Sequence, residues 1–316
     1  MSRHSPKVSV VMPAWNAAGT VGNAINSVLQ QTEADLELVV CDDASTDHTV
    51  EVIRSFSDRR IRFIENPENW GEGRTRDHAI SVAGGRWIAV LDADDAWVPH
   101  RLERLLAAAD GHEDVLVFDD IMQCHDRRGG LLPWRRVRGR RGFSARGRCI
   151  KVEFSRFIGE RRLLIKPIFP RALVENGRVA HSTRTFGADT EFFLRLVGAG
   201  AKMVYVPEPM YLYRITPGSM TANPHRSQLM LEVLENSRDR MVLSDAESAA
   251  FAKKIEQVRL DVRYGPVLGA LKARDWFSVL RLVAGDWRLS KEFGRRCIES
   301  MPYHIHRVIH GGKGRN

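Results

Sequence analysis

Apolar residues recur along this chain with two different spacings. Val8-Ser-Val-Val-Met12 is a compact apolar run that predicts a buried strand. Val21, Ala24, Ile25, Val28 and Leu29 then follow at intervals of three and four, which predicts a helix. The same alternation continues. An apolar run over Leu36–Cys41 is followed by a helical stretch to about Phe56, a short strand over Ile61–Ile64, and a helix over Gly73–Val82. A fourth strand covers Arg86–Leu91. The next helix has Pro99 in its first turn and places Leu102, Leu105, Leu106 and Ala109 on one face, and a fifth strand covers Asp114–Phe118. Strands alternating with helices predict a parallel, doubly wound sheet, and strands apolar throughout predict that both its faces are covered.

The pattern changes after Cys124. Arg127–Arg148 is dense in arginine and glycine and lacks apolar periodicity, which predicts a mobile loop or an excursion over a site. Order resumes near Lys166-Pro-Ile-Phe-Pro170. Phe192, Phe193, Leu196 and Val197 mark a helix, and Lys202–Val206 a further strand. Beyond about Pro224 the chain reads as helices. Phe251, Ile255, Val258 and Val262 form one stripe, and Val279, Leu282 and Val283 belong to another. The expected division is an α/β domain over 1–223 and a helical extension over 224–316, with Gly311–Asn316 frayed.

Composition narrows the class. With 43% hydrophobic and 28% charged residues the chain reads as an ordinary globular protein of one or two domains. Cys41, Cys124, Cys149 and Cys297 form no C-x-x-C pair, so neither a zinc site nor a disulfide framework is expected, and a reducing cytosol is. Arg3 and Lys7 before Val8–Trp15 imitate a signal peptide, but the run is short and Pro13 and Asn16 break it. Nowhere do about 18 apolar residues run uninterrupted. The net charge of +9 favours anionic partners: nucleic acid, an anionic membrane or a phosphate-bearing substrate.

Polar residues cluster where strands end, the edge at which α/β sheets bind ligands. Asn16 follows the first strand, Asp42 and Asp43 the second, and Asp92, Asp94 and Asp95 the fourth. In extended backbone Asp92 and Asp94 point the same way and can converge on a hard cation, Mg²⁺ or Mn²⁺; the alternative is an acidic turn capping the helix near Pro99. Asn69-Trp-Gly-Glu-Gly-Arg-Thr-Arg76 puts two glycines before a helix start. This suits close approach to an anionic ligand, or is a plain turn with solvated arginines. In Phe186-Gly-Ala-Asp-Thr-Glu191, Asp189 is a candidate base or a helix cap. Arg214, in Tyr211-Leu-Tyr-Arg214 before the turn Thr216-Pro-Gly-Ser219, can hold a phosphate or sit at the surface.

Together and in this order, these pieces resemble the inverting glycosyltransferases of family 2 over about residues 7–220. Val8–Asn16 is similar to the family's opening strand, with Trp15 where tyrosine is usual. Val40–Asp47 resembles the strand whose second aspartate, here Asp43, contacts the base. Thr75-Arg76-Asp77 stands where the family has Ala-Arg-Asn. Asp92-Ala-Asp94 matches its D-x-D element, and Ala188-Asp189 its Glu-Asp, without the glutamate. Phe186 through Tyr213-Arg214 and Gly218-Ser-Met-Thr221 is similar to bacterial exopolysaccharide glucosyltransferases of the succinoglycan type. The resemblance implies a GT-A fold: a Rossmann-like, mostly parallel sheet flanked by helices. It implies Asp189 as catalytic base and Pro13, Trp15, Asn16, Asp43, Arg76, Asp92, Ala93 and Arg214 on a nucleotide-sugar donor. It implies Asp94 on Mn²⁺ or Mg²⁺. The implied donor is a UDP-sugar, UDP-glucose foremost, and the acceptor a glycan or lipid-linked oligosaccharide. The implied location is the cytoplasm, peripheral on the inner face of the membrane.

Two alternatives stand beside it. A sugar-phosphate nucleotidyltransferase usually carries a lysine in an early Gly-rich loop, which Ala14–Gly19 lacks. A basic nucleic-acid-binding protein is suggested by charge, but no helix-turn-helix or zinc finger is evident, and no nucleic-acid partner is expected. Arg135, Arg136, Arg138, Arg140 and Arg141 around Trp134 suit a lipid-diphosphate acceptor, an anionic bilayer or a solvated loop. Trp276, Trp287, Arg295 and Arg296 suit a membrane interface, internal packing or a dimer contact. His304 and His306 have no third metal ligand.

Overall fold

The computed structural model describes residues 5–127, 130–137, 149–160, 162–175, 179–182, 186–215 and 225–300, with residues 127 and 298–300 described by backbone alone. The Thr216–Ser219 turn, Gly218–Thr221, Arg138, Arg140, Arg141, His304, His306 and Gly311–Asn316 lie outside these residues.

One sheet organises the molecule, in the order β3-β2-β1-β4-β9-β6-β10-β5, with β7 added to β6 and β8 (Ile150–Lys151) to β10. β1 (Val8–Ala14), β2 (Leu36–Asp42), β3 (Ile61–Glu65) and β4 (Trp87–Val90) run parallel, as the alternation with helices predicts. The departure is β9 (Ile168–Pro170), which lies antiparallel between β4 and β6 (Val115–Arg127). β10 (Lys202–Ile215) is parallel to β6, and β5 (Ala96–Trp97) antiparallel to β10.

Period-two alternation divides β1 between two cores. Val8, Val10, Met12 and Ala14 face α1 (Val21–Leu29), α2 (Thr49–Arg54) and α4 (Arg101–Ala109). Val11 faces the other side, with α3 (Glu72–Val82), α5 (Phe154–Ile158) and α6 (Ala188–Gly198). The same core takes Leu234 of α7 (Arg226–Arg238) and Phe251, Ile255 and Val258 of α8 (Asp245–Lys272). The first helices after residue 224 thus bury their apolar stripe against the sheet's own core. A third cluster joins Tyr264 and Val267 of α8 to Val279 of α9 (Trp276–Ala284) and Leu289 of α10 (Trp287–Ser300). Pro266 lies inside α8, in the half that belongs to this cluster.

Three elements differ from expectation. β6 extends beyond Phe118 because it pairs with β7 (Gly130–Arg136); the first part of the arginine-rich segment is therefore a hairpin strand. β10 continues past Val206 through Tyr211 and Arg214, although Pro207 and Pro209 read as breakers. Both prolines fall at register shifts against β6, where ladder hydrogen bonds are interrupted. Pro99 lies ahead of α4, which begins at Arg101.

Candidate functional site

Parallel pairing brings the carboxyl ends of β1, β2 and β4 to one edge. The Leu91 amide donates to the Val11 carbonyl (3.1 Å) and the Asp43 amide to the Ala14 carbonyl (2.8 Å). On this edge Asn16 takes a left-handed conformation (φ 48°). Its side-chain oxygen accepts the Thr46 amide at 2.8 Å, so the loops after β1 and β2 are tied together. Pro13 is buried opposite Cys41, and Trp15 is 57% exposed. Asp42 accepts the Ser45 amide and hydroxyl.

Asp43 ties down the turn that leads into α3, whose N-cap is Gly71. It accepts the Trp70 and Gly71 amides (both 2.8 Å), the Thr75 hydroxyl (2.7 Å) and the Asn66 amide (2.9 Å). Burial alone would raise its carboxyl; these donors, Thr75 foremost, hold it below its ordinary value. The anion attracted to this helix end is thus supplied by the chain. The glycines do different work from that expected. Gly71 (φ 83°) makes the turn. Gly73 lets α3 approach the 181–182 segment: a Cβ there would lie 2.6 Å from the Ser182 carbonyl oxygen. Arg74 lies over the Trp70 ring, 4.0 Å from its centroid.

α3 then carries Arg76, 1% exposed, into the centre of the edge. It pairs with Asp92 (2.9 Å), with Asp189 and with Glu72. Lys166 enters from the segment before β9 and donates to Asp92 (2.5 Å) and Asp189 (2.7 Å). Two cations therefore join three carboxylates drawn from three separate parts of the chain. Asp189 does not cap α6. That position is Gly187 (φ 77°), and the Asp189 side chain turns to Arg76 and Lys166. Burial would raise its carboxyl, but Arg76 and Lys166 overcome that and hold it well below the usual carboxylate range. The Lys166 ammonium is held well above its ordinary value by the carboxylates, against its own burial.

Asp92-Ala-Asp-Asp95 is a turn closed by the Asp95 amide on the Asp92 carbonyl (3.0 Å). Ala93 is buried beneath it, and Asp94 is exposed. The turn does not cap α4, whose N-cap is His100. It is instead fastened to β10. The Arg214 amide donates to Asp95 (2.7 Å), and its Nε donates to the Asp94 carbonyl (2.7 Å). One terminal nitrogen of Arg214 pairs with Asp126 (2.8 Å); the other has no hydrogen-bond partner among the described residues. Desolvation and Asp92 push the Asp94 carboxyl up; desolvation and Asp94 push Asp95 well up.

Two acidic groups bring three carboxylate oxygens within 4.8 Å of one another: Glu72 with Asp92 and Asp189, and Asp92 with Asp94 and Asp95. The first already holds two cations, Arg76 and Lys166, among its three carboxylates. The second has excess negative charge, hard oxygen donors and the exposed Asp94, and so fits a divalent cation.

Lys166, Glu72, Thr75 and Asn66 were not singled out from the sequence. Lys166 had a signal: a lone cation in the apolar run Leu163-Leu-Ile-Lys-Pro-Ile-Phe169. Arg101 had one too, on the face of α4 that carries Leu102 and Leu105. It is fully buried, paired bidentately with Asp119, and donates to the Lys166 carbonyl (2.5 Å), which holds the lysine's backbone in place.

The family model described as glycosyl transferase family 2 matches residues 9–171, just over half of the chain. The chain belongs to this family. Succinoglycan biosynthesis protein ExoU of Rhizobium meliloti (strain 1021) is 32% identical over 77% of this chain and 72% of its own length. ExoO of the same organism is 31% identical over 68% of this chain and 63% of its own length; the chain thus spans less than two thirds of that relative. The Escherichia coli UDP-Glc:alpha-D-GlcNAc-diphosphoundecaprenol beta-1,3-glucosyltransferase WfgD is 46% identical over 30% of this chain and 38% of its own length. Among solved structures, a mannosyltransferase from Pyrobaculum calidifontis with GDP-Man and Mn²⁺ superposes with a TM-score of 0.64 (16% identity, 97% of this chain, 84% of that one). S. aureus TarS 1-349 with UDP-GlcNAc does so with 0.61 (17%, 87% and 90%). These family 2 likenesses place the fold as GT-A, with a central α/β sheet and C-terminal helices. Among the described residues no helix is long and apolar enough to cross a membrane.

Proposed function

We propose that this family 2 chain transfers a hexose, with inversion, from a nucleoside diphosphate sugar to a hydroxyl of an exopolysaccharide or lipid-linked oligosaccharide. The observation that carries the reading is the meeting of Asp189 and Asp92 on the same two cations. It sets a carboxylate from the second half of the chain beside the D-x-D turn.

In this reading the acceptor oxygen attacks the anomeric carbon as the bond from that carbon to the diphosphate oxygen breaks. Asp189 takes the acceptor proton, and the nucleoside diphosphate leaves with the bonding pair. Asp189 starts as a carboxylate because Arg76 and Lys166 hold it so. The donor's diphosphate competes for those cations and frees the carboxylate to accept a proton. Asp43, Pro13, Trp15 and Asn16 form the nucleotide end; Asp92, Ala93 and Arg214, with its unpaired nitrogen, the diphosphate end. A divalent cation on Asp92 and Asp94, Mn²⁺ or Mg²⁺, would supply countercharge to the two phosphates. UDP-glucose is the proposed donor, supported by the sequence likeness to WfgD, whose name specifies UDP-Glc.

The test is thermal unfolding of the full chain with UDP-, GDP- and dTDP-sugars, each with Mn²⁺ or with a chelator. We expect the largest rise with UDP-glucose and Mn²⁺, loss of that rise in chelator, and its return with added metal. Equal melting in every condition would remove the donor assignment; a chelator-insensitive rise would remove the metal.

A further inference from the structure

α9 is apolar on two faces. Its inner face, Val279, Leu282 and Val283, packs on the cluster around Tyr264, Val267 and Leu289. Its outer face has no partner among the described residues. Trp276 is 61% exposed, Phe277 77% and Leu280 69%, and Trp287, just beyond the Gly285–Asp286 turn, is 70% exposed. Trp276 and Leu280 are four apart, one helical turn, with Phe277 beside them. Trp276, Phe277 and Leu280 thus share one side of α9, with Trp287 just past its end, a grouping of exposed apolar side chains that water-facing surfaces rarely carry without a use.

Charge identifies the occupant. Residues 268–297 contain seven cations and three acids. All three acids are engaged locally: Asp275 caps α9 through the Ser278 amide, Asp286 pairs with Arg263, and Glu292 is buried against Arg295 and Arg296. Lys272, Arg274, Arg281, Arg288 and Lys291 are exposed on α9 and on the segments that flank it, with Arg288 over the Trp287 ring. An apolar tip rimmed by cations matches a surface with hydrocarbon behind a layer of negative charge, and tryptophan suits that boundary. A second copy of the chain would set this cationic rim against itself.

We propose that the outer face of α9, with Trp287, docks the protein on an anionic phospholipid bilayer. Trp276, Phe277 and Leu280 enter the headgroup region, and the five exposed cations meet lipid phosphates. This inference is independent of the transfer reaction and is tested without it.

The experiment is co-sedimentation of the full chain with phosphatidylcholine vesicles and with phosphatidylcholine–phosphatidylglycerol vesicles, over a salt series. We expect binding to the anionic vesicles only, weakening with salt. Phe277→Ser with Leu280→Ser should reduce it about tenfold or more, since insertion scales with the apolar area buried. Arg274→Glu with Arg281→Glu should reduce it with a shallower salt dependence. These side chains are exposed, so unchanged melting should accompany each loss. The proposal is overturned if the wild-type chain stays in solution, the result expected where a second copy or another segment of the chain covers the face. It is equally overturned if the serine variant sediments as wild type does. Sedimentation velocity decides between the covers: a wild-type dimer that the serine variant converts to monomer assigns the face to a second copy.

Discussion

Arg76 and Lys166 together hold Asp189 as a carboxylate. Removing Lys166 as Lys166→Met leaves Asp189 with one cation, so its carboxyl must rise from its depressed value towards the ordinary one. A depressed carboxyl stays ionised as pH falls; a less depressed one protonates sooner. The acid limb of transfer against pH should therefore move to higher pH in Lys166→Met, and an unmoved limb would show that Asp189 does not depend on the lysine. Asp189→Asn should abolish transfer while leaving donor-induced stabilisation nearly intact; retained turnover would take the base role away. The aspartates of this site were legible because acidic residues at strand ends are few and ordered. The cations neutralising them were harder to see. Arg76 was picked out only through the family resemblance, since alone it reads like any helical arginine, and Lys166 shows only as a charge where apolar residues are expected. Nor did the sequence reveal that Asp43 spends four hydrogen bonds on its own chain, because those donors lie 23 to 32 positions away.

α3 links the nucleotide end of the edge to the carboxylate cluster, so its position matters more than its own stability. Alanine in place of glycine within a helix is ordinarily favourable by about 1 kcal/mol. At Gly73 the added methyl meets a backbone oxygen that cannot yield without moving the 181–182 segment. Gly73→Ala should therefore destabilise by about 1–3 kcal/mol, the usual range for overpacking, and weaken donor binding as Arg76 shifts. Melting at or above wild type would show that the segment moves freely. Elements β1 to β4 and α1 to α4 were read closely from periodicity because their apolar residues pack on the two cores, those of β3 half-buried. β10 was cut short because proline is read as a stop, whereas a register shift accommodates both prolines. β7 was hidden because an edge strand of arginine, tryptophan and leucine, largely exposed, shows no inward face to detect.

Over the whole molecule, apolar periodicity set the expectation of an α/β domain followed by helices, and packing joins the first of those helices to the sheet. Leu234, Phe251, Ile255 and Val258 share a core with Phe157, Phe193 and Met203. We propose that α7 and the first half of α8 complete the catalytic unit, with the more independent part beginning at the Tyr264 cluster. A chain ending at residue 223 should expose that core and aggregate. Soluble, donor-binding protein from such a truncation would restore the boundary at 224.

Pro266 has no amide hydrogen to give the carbonyl of Val262, so α8 is a ladder with one missing rung. Core-facing Phe251, Ile255 and Val258 stand on one side of that gap, and α9's support at Val267 stands on the other. The gap lies between the half of α8 held by the sheet's core and the half that supports α9, and the pairs Arg263–Asp286 and Arg296–Asp261 span it.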